Sequence, residues 1–191
     1  MDYFRINTLP LVDKTFCILE GGPEGTNAFD YKLSDGEAVT GRYPANARWY
    51  MSPKHPTRLK VPSVVDNTSS LLIVHRDVKD VLAATGVAME CLPFTLYDHK
   101  RRVASSDHFI VNPLGSFDCL DLARSEIQWS KEYPDKIIGI DRFVLDPKKL
   151  ESAPDLFRIQ LDLQEYVVSH RLIERLRPLQ PTNLFLLKLD Q

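Results

Sequence analysis

Two stretches of the chain run through the same order of apolar and polar positions. Leu71, Leu72, Ile73 and Val74 form a short aliphatic run of the kind buried in a sheet. Asp77 follows as a side-chain cap, and Val78, Val81 and Leu82 then share one helical face while Asp77, Lys79 and Asp80 face water. Gly86 supplies the stop, and Cys91 to Tyr97 reads as another strand with Pro93 at an edge or bulge. Near the C-terminus the order recurs. Tyr166, Val167 and Val168 make a β-rich run, Ser169 is a cap, and Leu172, Ile173, Leu176 and Leu179 form an apolar stripe ahead of Pro181. Leu184 to Leu187 then reads as a strand. Laying Val74 on Val168 puts Val78 on Leu172, Leu82 on Leu176 and Cys91 to Pro93 on Phe185 to Leu187 without a gap, which suggests two similar strand-helix-strand units. Core patterning alone also generates such matches.

The remaining patterns are shorter. Up to residue 65 the chain is punctuated by Gly21, Gly22, Pro23, Gly25, Gly36, Gly41, Pro44, Pro53, Pro56 and Pro62, which rules against long helices there. Tyr3 to Ile6 and Thr15 to Leu19 are strand candidates in that part. Phe109, Ile110 and Val111 predict a strand ending in the turn Asn112-Pro113-Leu114-Gly115. Ile137 to Val144 predicts another, leading to Asp146 and Pro147 at the start of a short helix, and Leu156 to Ile159 returns as a strand. The expected class is α+β, a mixed sheet with two or three helices, in one domain over 1–191 whose first 65 residues are turn-rich.

Composition narrows the function classes. The 191 residues are 43% apolar and 26% charged, as expected of a globular chain, and 24 Lys and Arg against 26 Asp and Glu give a net charge of -2. That leaves no basic excess to follow a phosphate backbone, so nucleic acid is not an expected partner. No stretch approaches the ~18 apolar residues needed to cross a bilayer, and the first residues lack a secretory pattern, so a soluble, cytoplasmic protein is expected. Cys17, Cys91 and Cys119 form an odd, widely spaced set read as core residues, and no cofactor or metal is expected.

Several groups could still carry chemistry. Gly21 to Thr26 is glycine-rich but has no lysine to meet a phosphate, so it reads as a turn. Ser105, Ser106, Asp107 and His108 include triad residue types, but no Gly-x-Ser-x-Gly elbow is present. Asp118 and Asp121, with Glu126, could hold a hard cation or do acid-base work alongside a histidine such as His108. The structural alternative has Asp118 capping a helix that contains Leu120, Leu122 and Ala123. His170 and Glu174 read as a surface pair, and Asp98 to Arg102 as a hairpin loop able to steer an acidic partner. The segment from Gly41 to Met51 concentrates interface-anchor types. Arg42, Tyr43, Arg48, Trp49 and Tyr50 are the candidate partner-binding residues if exposed, and core if folded inward.

The run from Phe109 to Asp121, followed by Ser125-Glu126-Ile127, closely resembles a bacterial family first catalogued as a domain of unknown function and grouped with immunity proteins of polymorphic toxin systems. Its prototype is myxobacterial. Tyr3-Phe4, Leu72 to Leu82, Glu90-Cys91-Leu92-Pro93, Leu156 to Ile159 and Val168-Ser169 extend the resemblance, which is strongest from about residue 70 onward. The resemblance implies a small cytoplasmic protein that binds and neutralises a cognate toxin without catalysis. A small metal-dependent hydrolase using Asp118 and Asp121, or an adaptor on a secretion apparatus, are the alternatives.

Overall fold

The computed structural model describes residues 1–9 and 12–191. In chain order its strands are β1 (Tyr3–Asn7), β2 (Ile18–Leu19), β3 (Arg48–Tyr50), β4 (Asp66–Asn67), β5 (Leu72–His75), β6 (Met89–Tyr97), β7 (Val103–Pro113), β8 (Glu126–Trp129), β9 (Ile137–Arg142), β10 (Leu156–Ile159), β11 (Asp162–Ser169) and β12 (Phe185–Lys188). The helices are α1 (Asp30–Ser34), α2 (Arg76–Ala83) and α3 (His170–Leu176). The class is α+β, as the sequence predicts, but the strands divide among two four-stranded sheets and two small ribbons instead of forming one mixed sheet.

The two strand-helix-strand units have the same topology. In one sheet β5 and β6 flank β7 and run antiparallel to it, with α2 as the connection between them. In the other, β11 and β12 flank β1 in the same way, with α3 as the connection. Both are split units, because the strands joined by the helix are separated by one strand from elsewhere in the chain. Val74 lies opposite Phe109 as Val168 lies opposite Phe4. The gapless match then slips: Phe109 is also opposite Pro93, whereas Phe4 is opposite Lys188 and not Leu187. One extra residue between α3 and β12 therefore puts Leu186, not Phe185, in the place of Cys91. Since a one-residue shift turns every side chain to the other face, the slip decides which residues of β12 meet the helix.

Both helices pack with both sheets in one core cluster. Val78 and Leu82 of α2 and Leu172 and Leu176 of α3 join Leu72, Val74 and Val111 from one sheet and Ile6, Tyr166 and Val168 from the other. The opposite faces carry cores of their own. Trp49, Ile73, Phe94, Leu96 and Ile110 are covered by Phe29, Leu33 and Val39 of the turn-rich part, and Tyr3, Phe157 and Val167 by Cys119, Leu120 and Leu145.

Local chemistry departs from the sequence reading in several places. Helix α2 begins at Arg76, and its cap is the His75 ring, whose Nδ1 accepts the Asp77 N–H at 3.4 Å; Asp77 lies in the first turn. Ser169 caps α3 as expected, accepting the Leu172 N–H at 3.1 Å. Helix α3 ends before Leu179, which sits in a following 3₁₀ turn with an exposed side chain. The short helix after Asp146 and Pro147 is a 3₁₀ turn over Lys149–Ser152. No helix forms around Leu120. Backbone bonds from Asp121 N–H to the Val144 carbonyl and from Asp146 N–H to the Cys119 carbonyl, both 2.9 Å, hold that segment as a bridge. The energetic reason is burial on one side only: Cys119 and Leu120 are inside, while Leu122 is exposed.

Candidate functional site

Asn112 and Pro113, which open the most specific sequence block, meet at one buried arginine. Arg158, on β10, is wholly buried and has no carboxylate bonded to it among the described residues. Its guanidinium is instead ringed by oxygen acceptors. Nε donates to the Pro113 carbonyl at 3.1 Å, Nη1 to the carbonyls of Ser34 (2.9 Å) and Leu163, and Nη2 to the Leu33 carbonyl at 2.8 Å and Asn112 Oδ1 at 3.0 Å. The group also lies 4.4 Å from the Tyr166 ring centroid. A planar fork with five donors suits such a cage, and a point ammonium does not. The cage draws on both sheets and on the turn-rich part, so it clasps three regions of the chain.

Asn112 extends the clasp. Its Nδ2 donates to the Glu37 carbonyl at 2.9 Å and to Glu90 Oε2 at 3.2 Å, and Glu90 in turn accepts the backbone N–H of Val39 and Thr40 and the Thr40 hydroxyl. Burial alone would raise the Glu90 carboxyl, but these donors outweigh it and hold it below the ordinary carboxylate range. Gly36 closes the cage at φ +70°, where an added Cβ would stand 2.9 Å from Arg158 Cδ and 3.0 Å from the Gly115 carbonyl oxygen. Only glycine fits that approach. Beyond it, Phe117 N–H donates to the Arg158 carbonyl at 2.8 Å, carrying the chain from β7 across to the sheet that contains β1 and β10.

The carboxylates proposed for metal or acid-base work are engaged elsewhere. Asp118 Oδ1 pairs with Lys149 Nζ at 2.8 Å, and Asp121 Oδ1 accepts the N–H groups of Ala123 and Arg124. Glu126 lies on the exposed hairpin formed by β8 and β9, and His108 is on the other sheet, buried on β7. His108 Nε2 faces the Pro62 carbonyl at 3.0 Å, an acceptor only, so Nε2 carries the proton and Nδ1 accepts the Ser105 hydroxyl at 2.8 Å. Burial, chiefly, lowers the His108 pKa. Asp107 does not orient this pair; it binds Arg76 at 2.7 Å. His170 and Glu174 form the expected surface pair at 3.6 Å. Cys17 and Cys119 are free and buried, and burial pushes both thiols up to about 12.

The segment of candidate anchors is divided by strand alternation. On β3, Trp49 turns into the core, 2% exposed, with Nε1 donating to the Glu20 carbonyl at 3.1 Å and its ring edge-on to Phe94. Arg48 and Tyr50 turn the other way. Trp49 is thus a core residue, the inward outcome that its size allowed, and its indole offers no exposed surface. Tyr43 is half-buried against the same core with its hydroxyl enclosed, and Arg42 is exposed. Tyr50 stacks on Tyr97 at 5.3 Å between centroids, and Arg48 borders a 300 Å³ hollow with Asn46, Thr95, Tyr97 and Ser106. As expected, residues 98–102 form a hairpin loop, closed by Asp98 on Arg102.

Sequence reasoning missed an exposed apolar group. The hairpin of β8 and β9 leaves Trp129, Tyr133 and Ile138 open, with Ile138 68% exposed at a register shift of the ribbon. Alternation is a strand signal, and two bulges in four paired positions erase it.

What the fold and the arginine clasp define is an α+β protein built of two split strand-helix-strand units and locked by a buried polar network. The family model described as "Immunity protein family (Imm11)" matches residues 9–189, and the chain belongs to that family. No curated protein matches the chain. The family implies a toxin as partner in general terms, and no helix among the described residues is long and apolar enough to cross a membrane.

Proposed function

We propose that this chain is a non-enzymatic immunity protein of a polymorphic toxin system, acting in the cytoplasm by binding a cognate toxin and blocking its activity. The observation that carries the reading is membership of the immunity family over nearly the whole length. The internal use of Asp118, Asp121 and His108 supports it, since each of the groups nominated for catalysis already serves the scaffold. Of the candidate anchors, Arg48 and Tyr50 supply the contact surface beside Tyr97, with Trp49 and Tyr43 packed into the core and Arg42 a separate exposed residue. Arginine and tyrosine in a shallow hollow are residue types that concentrate binding energy within a standard interface of ~1,600 Å².

The test is co-expression with the toxin encoded beside this gene. The expected result is rescue of growth and a stoichiometric complex that survives gel filtration. Rescue by amounts far below that of the toxin, with no complex, would replace blockade with catalysis.

A further inference from the structure

The hairpin of β6 and β7 and the segment beside it gather positive charge at one end of their sheet. Strand β3 runs parallel to β6, and the Met51 N–H donates to the Tyr97 carbonyl at 2.9 Å, so Lys54 and the hairpin tip lie toward the same end. The segment returns to the hairpin at Pro62, whose carbonyl meets His108 Nε2 at 3.0 Å. Between those contacts and back to the start of β3 it carries Arg48, Lys54, Arg58 and Lys60 and no acid, and the tip carries Lys100, Arg101 and Arg102 against Asp98 alone.

The acids nearby are mostly occupied. Asp98, 8% exposed, accepts the N–H groups of Lys100 and Arg102 and the Arg102 guanidinium. Glu20 pairs with Lys54 at 2.9 Å and accepts the Ser52 hydroxyl. Glu24, whose N–H donates to the Arg48 carbonyl, stands exposed at the rim. Arg58 has an enclosed Nη1 and acts on the buried Asp66 carboxyl, and Lys60 lies over the Phe16 ring. Among the described residues no carboxylate lies within ion-pairing distance of Arg48, Lys100 or Arg101, and all three are exposed.

The tip also displays its charge from a fixed and strained backbone. Arg101 holds φ +58°, a left-handed conformation that glycine takes freely and a side chain resists. The loop is closed around it by the Arg101 N–H on the Asp98 carbonyl at 3.0 Å and the Asp98 N–H on the Arg102 carbonyl at 2.9 Å. Glycine would close the same turn at less cost.

We propose that this end of the sheet docks an acidic patch on the surface of the toxin, with Lys100 and Arg101 meeting its carboxylates and the stacked Tyr50 and Tyr97 in contact beside Arg48. The proposal rests on the immunity reading and gives its contact surface a partner of defined chemistry. A nucleic acid fits less well: the whole chain carries a net charge of -2, so acids elsewhere outweigh these cations and repel a polyanion that continues past the patch. A compact acidic patch meets the cations alone, and their field speeds its approach.

Stopped-flow association of the full chain with the toxin encoded beside its gene, over a series of salt concentrations, tests it. Arg101→Gly should keep or raise Tm, because the left-handed φ is no longer resisted, and yet slow association about threefold. Lys100→Glu with Arg101→Glu should slow it about tenfold or more and flatten the salt dependence, with dissociation little changed. The same charge change at the exposed Lys131 and Lys136, on the loop between β8 and β9, should leave association as it was. A stable complex whose association ignores salt and the tip variants overturns the docking face and leaves the immunity reading standing. Equal slowing by both pairs of reversals overturns it in favour of net charge. Binding of a labelled single-stranded oligonucleotide by the free chain at physiological salt, lost in the tip variants, overturns it in favour of nucleic acid. Absence of any complex removes the proposal together with the immunity reading.

Discussion

The backbone N–H of Leu72 donates to the phenolic oxygen of Tyr166 at 3.2 Å, and the two residues hold the same position in the two halves of the fold. Each stands two residues before the valine that anchors its unit, opposite Val111 in one case and Ile6 in the other. The halves therefore touch at equivalent points. Tyr166 is wholly buried, and burial pushes its phenol up, so it stays neutral and available as an acceptor. Tyr166→Phe should cost about 1–2 kcal/mol by leaving the Leu72 N–H unpaired. Chemical denaturation reads this directly, and an unchanged midpoint and slope would mean the bond is not made in solution.

The arginine clasp predicts a pair of stability losses that differ in cause. Arg158→Lys keeps the charge but cannot reach the acceptors on both sheets and the turn-rich part, leaving buried carbonyls and a buried cation poorly satisfied, for a loss of about 3–5 kcal/mol. Gly36→Ala leaves every clasp residue in place but forces a Cβ against Arg158 and a φ that alanine resists, for about 1–3 kcal/mol. Thermal melts that show Gly36→Ala at the level of the unmutated chain would remove the close approach from the account.

Asp66 gives a pH dependence with a definite sign. It is 1% exposed; Asn183 Nδ2 donates to Oδ1, and Oδ2 has no hydrogen-bond partner among the described residues. Burial raises its pKa, against smaller opposing effects of Asn183 and Arg58. A raised folded value means that its contribution to stability is fullest below the unfolded carboxyl pKa of about 3.9 and is lost as pH rises through the folded one. Asp66→Asn should therefore raise Tm near neutral pH, with a gain that shrinks on acidification toward about pH 4. Melting curves across that range check it, and a gain that grows on acidification would reverse the assignment.

Strand alternation on β3 predicts a split between neighbours. Arg48→Glu and Tyr50→Ala should weaken the toxin complex by about tenfold or more with Tm little changed. Trp49→Ala should lower stability by about 3–5 kcal/mol by emptying a packed core site. Calorimetry of binding and of unfolding on the three variants separates these outcomes, and equal unfolding losses in all three would take Arg48 and Tyr50 out of the interface.

The groups once nominated for catalysis should be dispensable for protection. Asp118→Asn, Asp121→Asn and Ser105→Ala are expected to rescue toxin-expressing cells as well as the unmutated chain at equal protein level, with each stability cost within about 1–2 kcal/mol. Loss of rescue by a variant that still folds and binds the toxin would point to turnover.

The equal-length pattern from Leu72 to Leu82 and from Tyr166 to Leu176 is readable because both runs bury one face against a shared core, and burial writes its period into the residues. The register slip at β12 was not readable, since it depends on one residue of loop length and not on which residues are apolar. At β3, three residues are too few to reveal alternation, so Arg48, Trp49 and Tyr50 read as one group although the strand sends them to opposite faces. The block from Asn112 to Asp121 was visible as unusual, but the partners of Asn112, Pro113 and Gly115, which are Arg158 and Gly36, lie far away in the chain.

By itself the sequence determined the class of fold, the two amphipathic helices with their strands, the Ser169 cap and the family resemblance, because local spacing and residue type are sufficient for each. Tertiary structure alone decided that the paired strands are split by a partner from elsewhere and that Arg158 is held by carbonyls instead of carboxylates. Those outcomes depend on hydrogen bonds and packing between segments separated by tens of residues, and pairing at that range is set by which buried groups can satisfy one another once the whole chain has closed.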